Sequence, residues 1–200
     1  MSSMLDMLAK TIGSGDTMTQ ISRTLGADEG ATSKAIGAAL PTLLGALSRN
    51  ASKGNGKEEL HAALAKDHDG SVLDNLGAML GNADAGPGAG ILKHVLGGRQ
   101  PQVETAVAKS SGLDPQATAG LMKMLAPVVM GALGKASREQ GMSANALAGF
   151  LGNESKEIER AQPQAAGILG QLLDTDGDGD VDLGDMAKHG AGVLGKLFSR

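Results

Sequence analysis

The sequence predicts an all-α protein: a duplicated multi-helix unit forming a helical bundle, with a C-terminal helix-loop-helix motif. Three observations carry that expectation. Apolar residues recur at helical spacing along nearly the whole chain of 200 residues, and alternating β-branched runs are absent. Helix start and stop signals stand where these segments begin and end. Finally, residues 21–51 align without gaps on residues 107–137 at an offset of 86.

Taken in order, Ser3 with Asp6 forms a capping box ahead of Met4, Leu5, Leu8 and Ile12, and Gly13 ends that helix. Thr17 with Gln20 is expected to open the next, whose Met18, Ile21 and Leu25 share a face before Gly26 stops it. Asp28 caps a third helix carrying Ile36, Leu40, Leu43, Leu44 and Leu47, which Pro41 is expected to kink or divide. Ser71 precedes a helical stripe of Val72, Leu73, Leu76, Met79 and Leu80. Residues 81–90, with Asn82, Asp84 and Pro87, read as a flexible connector.

The aligned stretches share Gly26 with Gly112, Asp28 with Asp114, Ala31 with Ala117 and Thr32 with Thr118. They also share Pro41 with Pro127, Gly45 with Gly131, Ala46 with Ala132 and Leu47 with Leu133. One unit used twice accounts for this: a short helix, a Gly turn, an Asp-capped helix, then a helix broken or restarted at Pro. In the second copy Pro115 follows the cap, at the position where its missing N–H costs nothing. The expected division is 1–98 for the first helical repeat, 99–162 for the second and 163–200 for the helix-loop-helix. A shorter theme places apolar residues one, two, five and six positions after Gly90, Gly167 and Gly192. It suits close packing, or a helix face for self-association.

Composition excludes several classes of function. No cysteine is present, so disulfides, thiolate metal sites and cysteine nucleophiles are ruled out, in keeping with a reducing compartment. The two aromatic residues, Phe150 and Phe198, are too few for stacking platforms on single-stranded nucleic acid. The formal charge is −4, but six Asp fall within residues 174–185, where no Lys or Arg stands; the acidity is local. The first ten residues lack a signal-peptide pattern, and the apolar stretches are interrupted short of a membrane span, so a cytoplasmic protein without membrane contact is expected.

The doubled pattern around Leu25, Gly26, Ala27 and Asp28 and around Leu40, Pro41, Thr42, Leu43, Leu44, Gly45, Ala46 and Leu47 resembles the bacterial YidB-like group of domain-of-unknown-function proteins. The segment Gly88, Ala89, Gly90, Ile91, Leu92, Lys93, His94, Val95, Leu96 and Gly97 contributes to the likeness, which covers roughly residues 1–150. The resemblance implies a compact helical, cytoplasmic bacterial protein without an established activity, and it carries over no catalytic residues.

Residues 174–185 hold the specific chemistry. Calcium takes six to eight hard oxygens, which a 12-residue loop delivers from positions 1, 3, 5, 7, 9 and 12. Asp174, Asp176 and Asp178 occupy 1, 3 and 5, Gly179 allows the sharp turn at 6, and Asp180 offers its carbonyl at 7. Val181 at 8 anchors the loop, Asp182 at 9 ligates directly or through water, and Asp185 closes it at 12. The pattern is similar to the EF-hand loop and, in its closing Asp, to dockerin calcium loops. Asp185 is one methylene shorter than the usual Glu, which favours a smaller site and admits magnesium as the alternative ion. A lone loop of this kind has two readings: a structural ion that pins the C-terminal helix pair, or completion by a second chain in a homo-oligomer through residues 163–200.

The alternative function is a helix-turn-helix over residues 19–36, with Thr32, Ser33 and Lys34 near the start of its second helix. Few cations accompany it, so nucleic acid is an unfavoured partner. Enzyme signatures are weaker. Residues 190–197 match phosphate-loop spacing, yet Leu197 stands where Ser or Thr must hold magnesium. The four histidines are scattered, and His61 and His68 read as a solvated helix face. No catalysis and no small-molecule substrate are expected.

Overall fold

The computed structural model describes residues 3–80 and 86–162, and all regular structure among them is helical. In chain order the helices are α1 (Met4–Ile12), α2 (Gly15–Leu25), α3 (Glu29–Ala51), α4 (Gly56–Asp67), α5 (Leu76–Leu80), α6 (Gly88–Leu96), α7 (Gln100–Ser111), α8 (Pro115–Glu139) and α9 (Ala144–Ala161). Short 3₁₀ turns at Ser71–Asn75 and Gly97–Arg99 lead into α5 and α7.

The termini form where short polar side chains satisfy the first free N–H groups. Ser3 Oγ accepts from Asp6 N at the start of α1, and Ser143 Oγ from Ala146 N at the start of α9. The aligned pair Asp28 and Asp114 caps α3 and α8: Asp28 Oδ1 accepts from Ala31 N at 2.9 Å, Asp114 Oδ1 from Gln116 N at 2.8 Å. Thr32 and Thr118, both fully buried, donate their hydroxyls to the Asp28 and Asp114 carbonyls at 2.8 and 2.9 Å. Gly26 and Gly112 end the preceding helices at φ 63° and 75°, a region that glycine enters without steric cost.

Four boundaries differ from the sequence expectation. Helix α2 starts at Gly15 with Ser14 at its N-cap position, and Thr17 lies inside the first turn, its hydroxyl 2.9 Å from that of Ser14. Neither proline divides its helix, since α3 runs through Pro41 and α8 through Pro127. Each proline deprives one carbonyl four residues back of its partner. The one at Gly37 sits on an exposed residue, open to water, and the one at Lys123 is met by the start of α6 at Gly88. The stripe after Ser71 is a 3₁₀ turn followed by the short α5 instead of one helix. Gly88, Ala89 and Gly90, expected in a connector, form the first turn of α6.

Helices α3 and α8 are the bundle's axis. Every residue from Ala39 to Ser48 and from Met124 to Gly134 is buried, so the middle of each helix is enclosed on all sides. Helix α3 packs on α1, α2, α4, α6, α7, α8 and α9, and α8 on α2, α4, α6 and α7. One apolar cluster gathers residues from Met4 to Ile158. By length and composition α8 could cross a membrane, yet 78% of its apolar window is buried inside the bundle. That burial depends on glycine: a Cβ at Gly131 would fall on Val72 and one at Gly134 on the His68 carbonyl, so the chain after α4 lies directly on the α8 backbone.

Candidate functional site

A cleft of about 800 Å³ opens between α4 and α6. Its floor is Leu47 from α3, Leu60 from α4, Val95 from α6 and Met130 from α8, none more than 9% exposed. Its rim is polar, with Lys53, Asn55, Glu59, Asp67, His68 and His94. At one end Asn50 donates its side-chain amide to the Val95 carbonyl at 2.9 Å, tying α3 to α6. An aliphatic floor under a rim of mixed charge suits an amphipathic occupant.

Two histidines of α4 and its C-terminus take part in this architecture. His61 is partly buried, and its Nε2–H donates to the Met142 carbonyl at 2.9 Å, joining α4 to the turn before α9. That corrects the solvated-face expectation, which overlooked that His61 and His68 flank the buried Leu60 and Leu64. Burial lowers the His68 imidazole below 6.5, against the opposing influence of Asp67. Its neutral form is therefore favoured in the fold: the stability this contributes is complete above 6.5 and is lost as pH falls toward the depressed folded value. The His68→Gln variant is expected to flatten the stability curve in that window, as urea unfolding between about pH 5 and pH 7 would record. An unchanged acid-side slope would contradict the assignment.

At the C-terminal end of α3, Arg49 and Arg99 come close together, and burial followed by the Arg99 charge lowers the Arg49 guanidinium. Nothing in the linear sequence marks that meeting, because it depends on α3 and α7 packing together.

Of the helix-turn-helix residues, Ser33 and Lys34 are exposed, whereas Thr32 is fully buried with its hydroxyl committed to Asp28. The would-be recognition helix is α3, the central strut of the bundle, which leaves only its first turns for any groove. No group of three or more His, Asp or Glu that could hold a metal ion occurs among the described residues. Asp174, Asp176, Asp178, Asp180, Asp182 and Asp185 lie outside those residues, as do the Gly167 and Gly192 segments and the phosphate-loop match. The first copy of the Gly theme lies within α6, where Leu92, Val95 and Leu96 are buried in the core.

The class these features define is an all-α bundle built on two enclosed helices, with an aliphatic cleft on one side. Its sequence matches the family model described as bacterial protein of unknown function (DUF937) over residues 6–136, and the chain belongs to that family. Neither the curated proteins nor the solved structures include a significant match to it.

Proposed function

We propose that this chain is a non-catalytic binding protein whose helical bundle carries one divalent-cation loop, taking calcium, with magnesium as the alternative ion. The spacing of residues 174–185 carries the proposal: five Asp at alternating positions from Asp174 to Asp182, Gly179 at the sixth, Val181 at the eighth and a closing Asp185 at the twelfth. Unneutralised, six carboxylates within 12 residues repel one another; a divalent ion removes that repulsion and couples ordering of the segment to binding. Asp174, Asp176 and Asp178 supply side-chain oxygens, Asp180 its carbonyl, and Asp182 and Asp185 complete the shell. Pairing of two such loops across a homodimer through residues 163–200 would complete the unit. Supporting the duplicated-unit reading are the matched Gly turns, Asp caps and buried Thr residues of α2–α3 and α7–α8. A cysteine-free composition favours the cytoplasm.

Calorimetric titration of the full chain is expected to give one calcium site per chain with Kd on the order of 10⁻⁵–10⁻³ M, and helicity is expected to rise on binding. Combining Asp174→Asn with Asp178→Asn removes two anionic ligands and should abolish the binding heat. A wild-type chain that takes up neither calcium nor magnesium would end this reading. Nucleic-acid binding has less support, since α3 spends most of its surface in the core.

A further inference from the structure

We propose that the cleft between α4 and α6 is the docking groove for this chain's own segment 192–198. The groove is wedge-shaped. At its narrow end Gly56 and Val95 both meet Asn50, so α4 and α6 converge on the end of α3. At its wide end His68 reaches Gly134 of α8 while Gly88 reaches Lys123. Those α8 positions stand roughly 16 Å apart at 1.5 Å of rise per residue. The floor between the two walls is aliphatic, formed by Leu60, Val95 and Met130 with Leu47 beneath. Such a groove fits one apolar face of a short amphipathic helix.

Segment 192–198 has the complementary pattern. Val193, Leu194, Leu197 and Phe198 stand at the spacing that Ile91, Leu92, Val95 and Leu96 have in α6, where it is a core-facing pattern. Left in water, the four side chains would forgo burial worth about 1.5–3 kcal/mol each, so the segment needs a cover. Charge selects this segment over residues 167–173. Lys196 and Arg200 accompany it, and the α4 wall of the cleft presents Glu59 and Asp67; residues 167–173 carry no cation and run directly into Asp174. Twenty-nine residues lie between it and Gln162, a tether of up to about 100 Å at full extension. On the α6 wall Gly90 leaves open space where a side chain would stand, which admits a close approach.

Two measurements on the full chain test the docking, each made with chelator and with calcium so that loss of ion binding is seen separately. Phe198 is one of only two aromatic residues, and Phe150→Leu leaves it alone. Nuclear Overhauser contacts from its ring to the Leu60, Val95 and Met130 methyls are expected in at least one condition, within a single chain in mixed-label samples, and lost in Leu194→Asp. The second measurement keeps Phe150 and exploits the absence of cysteine. Ala63→Cys with Ser199→Cys should form an intramolecular disulfide about tenfold faster than Thr105→Cys with Ser199→Cys, reflecting a raised local concentration at the cleft. Equal rates in both conditions, absent ring contacts, or contacts only between chains, which would mean a second copy fills the groove, overturn the proposal.

Discussion

Replacing Gly134 by Ala is expected to destabilise the bundle by about 3 kcal/mol, lowering its melting temperature by about 10 °C. The added methyl falls on the His68 carbonyl oxygen, a backbone atom with little freedom to retreat. Its neighbourhood is pinned from both sides, by Val72 against Gly131 and by Gly70, at φ 93°, with the Lys135 Cβ 2.9 Å from where its own Cβ would stand. Alanine's better helix propensity returns about 1 kcal/mol, too little to offset the clash. The contrast is Gly149→Ala in α9, where nothing lies within 4 Å of the new methyl. There the propensity gain acts alone, and stability should rise by about 0.5–1 kcal/mol. Thermal denaturation of the two variants side by side checks the claim; a Gly134→Ala protein as stable as the parent would mean that α4 and α8 do not pack backbone to backbone.

The second large effect is expected at the centres of the two enclosed helices. Leu44→Ala in α3 and Leu125→Ala in α8 each remove a side chain that is 0% exposed and should each cost about 3–4 kcal/mol, part lost burial and part residual cavity. Met7→Ala, at a position 43% exposed, should stay within about 0.5 kcal/mol of the parent. Because one apolar cluster draws on α3 and α8 alike, each core variant is expected to shift a single urea transition as a whole. Two transitions, with each substitution moving only one, would mean that the aligned stretches fold independently.

Much of the helical outline was legible because it rests on local chemistry. Ser3, Asp28, Gly13 and Gly26 act at the termini where the sequence places them, since a cap needs only a short oxygen-bearing side chain three residues before a free N–H; Gly26 stops its helix at positive φ, while Gly13, at φ −77°, donates its N–H to the Ala9 carbonyl. Pro41 leaves α3 undivided for the opposite reason. Its local penalty is real, but packing around Ala39 to Ser48 outweighs it and the orphaned carbonyl has an outlet. The same holds for Gly88 and Gly90: their flexible composition suggested a linker, while close approach to α8 made Gly88 the opening of a helix.

The site divides along the same line. Metal-loop chemistry lies in a contiguous run of alternating carboxylates, so its ligands are readable from spacing alone. The α4–α6 cleft, the His61 link to Met142 and the meeting of Arg49 with Arg99 bring together residues from separate elements of the chain. The sequence by itself determined the all-helical class, the caps, the repeated Asp and Gly signals and the membership implied by them, because each is an interaction between near neighbours. Tertiary structure alone decided which helices are enclosed, where glycine must yield its place to a crossing backbone and where a groove stays open, because those outcomes depend on how the surfaces of distant segments fit together.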